Sequence, residues 1–361
     1  MDTDPYFMSL ALTLAKKGRD TTHPNPAVGC VIVKDGVVIA EGYHEFAGED
    51  HAEAKALKQA GEAARGATMY VTLEPCSHQG RTPPCARAVA KANLARVVIA
   101  AHDPNPAVNQ KGIEILKEAG IVVEVGVGSE QAKVINRGFF KRMNSKMPWV
   151  TMKTAISLDG RTAMANGESQ WITSRSARLD AQKLRASSGA ILTGVGTVLR
   201  DDPSMNVRLP NTNRQPLRVI LDSHLSTPPG SKILDSLGAV LIVTSRNDRD
   251  NELFRRDNVE LLLCPSGKTG LDPVYVMKEL ARREINTVMV EAGARLGGAM
   301  IQSGVVDELV VYMAPNLLGS DARDMFKLSG LINMEDKLEL RYEDVRMVGR
   351  DLKLTLSINP Q

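Results

Sequence analysis

The spacing His51-Ala52-Glu53, then Pro75-Cys76, then eight residues and Cys85 constrains this chain more than any other feature. One imidazole and two thiolates are three zinc ligands, and a metal that prefers four keeps a position open for water. Zinc lowers the pKa of a bound water from about 15.7 to roughly 7, which makes a hydrolytic nucleophile available at neutral pH. Glu53 is spaced to shuttle the proton. Residues 52–60 are strong helix formers and the run stops at Gly61. On a regular helix positions i and i+2 diverge by about 200°. His51 and Glu53 can therefore serve one metal only if the helix points its N-terminal end at it. Residues 68–73 read as a strand ending at Glu74-Pro75, and Pro83-Pro84-Cys85 opens the next helical run, with Pro84 suited to a first turn. A cysteine at a helix N-terminus ionises more easily, and the thiolate is the form zinc binds. The alternatives are a closed structural zinc, with His78 or His44 as fourth ligand, or ordinary residues without a metal.

At 361 residues the chain has room for two domains of about 100–200 residues, each with its own core. Lysine and arginine number 45 against 42 acidic residues, a net charge of +3 that points to neither nucleic acid nor a membrane surface as partner. The start Met1-Asp2-Thr3-Asp4-Pro5 is acidic and no apolar run approaches the ~18 residues of a membrane span, so a cytoplasmic location is expected. With Cys76 and Cys85 assigned to the metal, Cys30 and Cys264 are expected as buried, reduced core residues.

Phe7, Leu10, Ala11 and Leu14 follow the i, i+3, i+4, i+7 pattern of a helix that begins at Asp4-Pro5 and ends near Gly18. Residues 30–33 and 37–40 flank Lys34-Asp35-Gly36, a strong hairpin signal. After the zinc segment, 96–100, 112–119 and 121–125 read strand, helix, strand, giving a three-layer α/β domain. A helix over 130–141 leads to the polar stretch 143–148, where the boundary is placed: domains 1–146 and 147–361. The basic cluster Arg137, Lys141, Arg142 and Lys146 reads first as a solvated helix face, and otherwise as a phosphate or nucleic-acid site.

Beyond the boundary, strands over 150–155, 190–193, 217–221, 239–243, 287–290 and 308–314 alternate with helices such as 176–184 and 272–283, which predicts a mostly parallel sheet. Gly194-Val195-Gly196-Thr197 and the loop 291–299 follow strands and could cradle a pyrophosphate through backbone N–H groups, or be turns. Neither fits the G-x-G-x-x-G fingerprint.

The order His-x-Glu, Pro-Cys, Cys resembles the zinc nucleobase deaminases, in which two residues rather than eight usually separate the cysteines. The longer loop Ser77-His78-Gln79-Gly80-Arg81-Thr82-Pro83-Pro84, with His51-Ala52-Glu53 and the segment 21–29, closely resembles the deaminase half of the bifunctional riboflavin-biosynthesis deaminase/reductases. Ser157-Leu158-Asp159-Gly160, Gly167-Glu168-Ser169-Gln170-Trp171-Ile172, Asp201-Asp202-Pro203 and residues 291–299 resemble the reductase half. The resemblance implies a cytidine-deaminase-like three-layer domain followed by a dihydrofolate-reductase-like domain. It implies zinc and NADPH as cofactors, a phosphorylated diaminopyrimidine as substrate, and deamination followed by reduction of the ribosyl side chain. By matching positions, Asn25, His44 and Arg81 hold the deaminase substrate. NADPH is expected at Ala155, Trp171, Thr197, Asp201, Ser223, Gly293, Ala294, Arg295, Leu296, Gly297, Gly298 and Ala299, and the reductase substrate at Ser169, Arg185, Met205, Arg208 and Glu291. Two arginines suit a phosphate, and Trp171 offers a flat apolar wall, though each arginine could be a surface charge and Trp171 could be core. Lys153 and Glu291 are the candidate proton donors, and Ser245 and Arg246 the candidate partners of the cofactor 2′-phosphate. A homo-oligomer is expected. Two other readings stay open: another nucleobase or tRNA deaminase fused to an unrelated module, and a non-enzymatic zinc-stabilised nucleotide-binding protein.

Overall fold

The apolar stripe Phe7, Ala11 and Leu14 turns one face of helix α1 (Asp4–Lys17) into a core. Asp35 and Gly36 supply the two positive φ values, 51° and 77°, that a tight hairpin of the type I′ class needs. They join strand β1 (Gly29–Lys34) to β2 (Val37–Tyr43). Helix α2 (Ala52–Ala60) stops where Gly61 takes φ 52°. Then come β3 (Thr68–Val71), α3 (Cys85–Lys91), β4 (Arg96–Ile99), α4 (Lys111–Glu118) and β5 (Val122–Val125). The structure is a computed structural model that describes residues 3–77, 84–106, 108–210, 212, 214–248, 251–267 and 270–358. It divides into two units, Met1–Lys146 and Met147–Gln361.

In the first unit the sheet order is β2-β1-β3-β4-β5, with β1 antiparallel to both neighbours and β3, β4 and β5 parallel. Side chains alternate along each strand. Cys30, Ile32, Met69, Val71, Val97 and Ile99 pack against α2, α3 and α4, whereas Val31, Val33, Tyr70 and Val98 pack against α1 and the C-terminal helices. The outcome is the three-layer arrangement anticipated from the sequence.

Two local expectations need correcting. Pro84 is the N-cap of α3 rather than a residue of its first turn, so Cys85 itself is the first helical residue. The single helix expected over 130–141 is two, α5 (Ser129–Ile135) and α6 (Arg137–Ser145), broken at Asn136. The buried Asn136 carboxamide accepts from the Ala27 N–H (2.8 Å) and donates to the Ala27 carbonyl (2.9 Å). The break turns this polar side chain inward onto the loop that carries Asn25. Arg137, Lys141 and Arg142 are half-buried and each has a partner, so this part of the basic cluster is not a freely solvated face.

The second unit opens with β6 (Trp149–Ser157), β7 (Arg161–Ala163) and α7 (Arg175–Ala186). It continues through β8 (Ala190–Gly194), α8 (Val195–Asp201), β9 (Leu217–Leu221), α9 (Lys232–Asp235), β10 (Val240–Thr244) and β11 (Val259–Leu263). The antiparallel pair β12 (Ser266–Gly267) and β13 (Gly270–Leu271) precedes α10 (Pro273–Arg282), β14 (Thr287–Val290) and α11 (Ala294–Gln302). Last come β15 (Glu308–Ala314), β16 (Arg323–Asp324), β17 (Leu340–Val348) and β18 (Asp351–Ile358). The nine-stranded sheet runs β11-β10-β9-β8-β14-β6-β15-β18-β17, parallel from β11 to β15 and antiparallel in its last two strands. Helices on both faces explain why β8, β9 and β10 are nearly continuous apolar runs.

Asn136 supplies the first test. Alanine there leaves the Ala27 N–H and C=O buried without partners, at about 1–3 kcal/mol each. Asn136→Ala should destabilise the first unit by that order in urea unfolding, and a parent-like midpoint would show that the Ala27 clasp is dispensable.

Candidate functional site

The first site is built from two helix starts. His51 is the N-cap of α2 in extended backbone (φ −72°, ψ 166°), which frees it from the helical divergence from Glu53. Cys85 begins α3, and its backbone N–H donates to Cys76 Sγ at 3.3 Å. His51 Nδ1 lies 3.2 Å from Cys85 Sγ and 3.6 Å from Cys76 Sγ. All three donor atoms fall within 4.8 Å of one another. Tetrahedral zinc with a Zn–N bond of about 2.0 Å and a Zn–S bond of about 2.3 Å would hold N and S about 3.5 Å apart, so this donor set fits the ion.

Glu53, in the first turn of α2, is buried, and burial lifts its pKa to about 7 against the opposing pull of His51. It is a carboxyl able to take and return a proton near neutrality. The hydrogen bond from the Cys85 thiol, with His51 beside it, brings the Cys76 pKa down to about 4 and makes Cys76 the standing thiolate. The hydrogen bond to Cys76 pushes Cys85 upward in turn.

The structure brings Asn25 and His44 to this site. The Asp50 carbonyl can only accept, so the His44 Nδ1 facing it at 3.2 Å is a donor; Nε2 then accepts from Asn25 Nδ2 at 3.1 Å. Burial lowers the His44 pKa to about 4, in keeping with that neutral tautomer. Its ring meets the His51 ring edge-on at 5.0 Å. With both nitrogens engaged, His44 is not a fourth metal ligand. His78, the other candidate for that place, and Arg81 lie outside the described residues. Asp103 carries no motif that marks it in the sequence. It comes after β4, is buried, and has its pKa raised by burial to about 7, with Glu74 and Cys76 adding to the shift. Its position beyond the carboxyl end of a parallel strand is the available clue.

In the second unit β10, β9, β8, β14 and β6 are parallel neighbours, so their carboxyl ends open on one edge, where open α/β sheets bind ligands. Ser223 comes after β9, Thr197 lies in α8 after β8, Gly293 is the N-cap of α11 after β14, and Ala155 is on β6. Ser245, after β10, donates its hydroxyl to the Ser223 carbonyl at 3.0 Å, and Arg246 is exposed beside it. Asp201 is the exposed last residue of α8. Trp171 is 66% exposed and therefore not core. The Arg178 guanidinium stands 4.2 Å from its ring centroid, and an open indole face fits a flat cofactor ring.

The stretch 294–299 is helix rather than loop. A Cβ on Gly298 would lie 2.0 Å from the Lys327 carbonyl oxygen, and one on Gly297 would lie 3.0 Å from the Phe326 ring. These two glycines let α11 press against 326–327. The first turn of that helix, with Ala294, Arg295 and Leu296, stands just past the carboxyl end of β14.

Arg185, Met205, Arg208 and Glu291 gather into one cluster, whereas Ser169 lies apart in sequence, itself half-buried in a mostly exposed segment ahead of α7. Arg185 Nε donates to Glu291 Oε1 (2.6 Å), Nη1 to the Asn206 carbonyl (3.0 Å), and Nη2 lies 3.9 Å from Met205 Sδ. Arg208 Nη1 donates to Asn206 Oδ1 at 2.8 Å, so Asn206 links the two arginines. No sequence pattern marks Asn206, because it sits in irregular chain after Met205, whose φ is +49°. Lys153 Nζ stands 3.6 Å from Glu291 Oε2. Burial would raise the Glu291 pKa, but Arg185 and Lys153 outweigh it and hold the carboxyl at about 2.

Residues 1–101 match the cytidine and deoxycytidylate deaminase zinc-binding region, and residues 148–354 match the RibD C-terminal domain. Together with the two sites these matches define a two-unit enzyme, a deaminase joined to a reductase. The chain is 50% identical over 365 residues to riboflavin biosynthesis protein RibD of Escherichia coli K12, covering 98% of this chain and 99% of that one. It superposes on a structure of Acinetobacter baumannii RibD with TM-score 0.92 at 46% identity, over 99% of both chains. A Thermotoga maritima diaminohydroxyphosphoribosylaminopyrimidine deaminase/5-amino-6-(5-phosphoribosylamino)uracil reductase gives 0.89 at 32% identity, again over 99% of both. The chain belongs to the RibD family, the bifunctional deaminase/reductases of riboflavin biosynthesis. No helix among the described residues is long and apolar enough to cross a membrane.

The Glu291 cluster sets the sign of an acid effect. Its carboxyl titrates at about 2 in the fold against 4.5 ordinarily, so its contribution is full above about 4.5 and is lost as pH falls toward 2. Trp149 and Trp171, the two tryptophans of the chain, both lie in the second unit, and their fluorescence reports its acid unfolding. Glu291→Gln should flatten the loss of stability between pH 4.5 and 2; an acid profile parallel to the parent's would contradict this account.

Proposed function

We propose that residues 1–146 deaminate 2,5-diamino-6-(5-phosphoribosylamino)pyrimidin-4(3H)-one and that residues 147–361 reduce the ribosyl chain of the resulting 5-amino-6-(5-phosphoribosylamino)uracil to ribityl. The observation that carries the reading is the convergence of His51, Cys76 and Cys85 at two helix starts with a buried carboxyl, Glu53, in the first turn behind them. Zinc held by these three would supply an acidified water at neutral pH. Glu53 accepts one proton from the water and gives it to the ring nitrogen, then takes a second from the hydroxyl so added to the ring carbon and gives it to the amino group that departs as ammonia. His44 keeps the Asn25 carboxamide oriented, leaving its oxygen to read a ring amino group. Arg81 belongs to the same substrate set by resemblance.

In the reductase, bound NADPH would supply the hydride that reduces the ribose carbon bearing the amine. Ala155, Trp171, Thr197, Asp201, Ser223 and 293–299 hold the cofactor, with Ser245 and Arg246 toward its 2′-phosphate. Ser169, Arg185, Met205, Arg208 and Glu291 hold the substrate. Arg185 is occupied by Glu291 and Asn206, so Arg208 is the arginine that meets the phosphate. Glu291 stays ionised and cannot donate a proton, which leaves Lys153 as the donor.

A coupled assay that tracks ammonia release and oxidation of NADPH or NADH separately tests both halves, and the reading requires a preference for NADPH. Glu53→Gln keeps size and ligands but cannot shuttle a proton, so deamination should fall by about 10²–10⁴-fold while reduction of supplied deaminated substrate stays near the parent rate. Near-normal ammonia release with zinc retained would remove Glu53 from its role. Lys153→Met should lower kcat for reduction by about 10²–10⁴-fold and spare deamination; an unchanged kcat would exclude Lys153 as the donor.

A further inference from the structure

The carboxylate at position 74 is buried, its side chain fully screened from solvent, two residues from a metal ligand and outside the chemistry described above. Its Oε2 accepts the backbone N–H of Asp103 and of Gln110, both at 3.2 Å, and its Oε1 accepts that of Gly112 at 3.1 Å. Gln110 is the N-cap of α4 and Gly112 lies in its first turn. A Cβ at Gly112 would stand 2.1 Å from the Pro75 carbonyl oxygen, so α4 starts in direct contact with the Glu74-Pro75 backbone. From the other side, α3 grips Cys76: the Ala86 N–H donates to the Cys76 carbonyl at 3.1 Å, and the Cys85 N–H to its sulfur. The tripeptide Glu74-Pro75-Cys76 is thus clamped between the starts of two helices, with Pro75 restricting rotation between the clamped carboxylate and the thiolate.

We propose that Glu74 is a positioning residue for the metal: by collecting three N–H groups from 103–112 it fixes the direction in which Cys76 Sγ points. It touches neither metal nor substrate. The inference rests on the zinc reading of His51, Cys76 and Cys85. A carboxylate is suited to the task because it is acceptor-only, and three donors converge on it. Glutamine presents an NH2 to at least one of those N–H groups, and no rotamer satisfies all three. Residues that orient metal ligands typically account for about 10–100-fold in metal affinity.

The test uses the full chain, the parent and Glu74→Gln, Glu74→Ala and Gly112→Ala variants, with Leu12→Ala as a control that opens a hole in the opposite core of the same unit. Zinc affinity is measured by chelator competition, and coordination geometry by the absorption of the cobalt(II)-loaded protein. Glu74→Gln should weaken zinc by about 10–100-fold and shift the thiolate–cobalt bands. Gly112→Ala should reproduce the shift from the helix side by displacing Pro75. Leu12→Ala should lower the melting temperature and leave affinity and spectrum unchanged. Parent affinity and parent spectrum in the Glu74 variants would overturn the proposal, as would equal losses in Leu12→Ala. Should neither Glu74 variant fold, a parent spectrum in Gly112→Ala would overturn it. Absence of zinc from the parent itself would instead overturn the reading on which it stands.

Discussion

A ligand set drawn from positions 51, 76 and 85 can form only if two helices begin at the same point in space, and the first unit is arranged around that requirement. Each helix spends its first residue on the metal side: α2 through an N-cap histidine in extended backbone, α3 through a cysteine in its opening position. The two N-termini bring positive dipole ends to the place where thiolates must persist. The surrounding core is apolar and the carboxyl behind the ligands is fully covered, so the same burial that packs the unit also lifts Glu53 toward neutrality. Fold and proton chemistry are one consequence of where α2 starts.

The second unit meets a different constraint. Its parallel strands leave carboxyl ends on one edge, and the candidate residues that follow five neighbouring strands there share no common sequence motif. A single buried carboxylate, Glu291, holds Arg185 and Lys153, and those cations keep it ionised in a setting that would otherwise protonate it. Removing either cation would change both the carboxylate and the geometry of the other.

Much of this can be read from the chain because the signals are local. The Asp35-Gly36 hairpin, the helix stop at Gly61 and the apolar runs of β8, β9 and β14 depend on neighbouring residues alone. The candidate metal ligands His51, Cys76 and Cys85 are legible because imidazole and thiolates at that spacing have few other uses. Features hidden from the sequence depend on distant partners. Asn136 breaks a helix only because Ala27 needs both its backbone groups satisfied. Strand β17 escapes pattern reading because it is charged and exposed and because the register shift between Tyr342 and Asp344 interrupts its alternation. The helix start at 294 reads as loop because its glycines look like turn residues, whereas they are small to admit the Lys327 backbone. Asn206 and Glu74 sit among ordinary sequence and acquire meaning only from the segments that fold onto them.

The cluster around Glu291 also has an arithmetic of charge. Lys153, Arg185 and Arg208 bring three positive charges and Glu291 one negative, leaving an excess of two positive charges, with Lys153 and Arg185 half-buried and Arg208 exposed. Arg185 and Arg208 repel each other, and burial alone already makes the charged form of Arg208 harder to keep. A phosphate monoester carries about −1.5 to −2 at neutral pH, nearly the complement of that excess. On the proposed reading the reductase side chains by themselves are electrically unbalanced by about one phosphate group. On that reading the substrate's phosphate would do more than anchor it: its arrival would neutralise the wall against which the substrate binds.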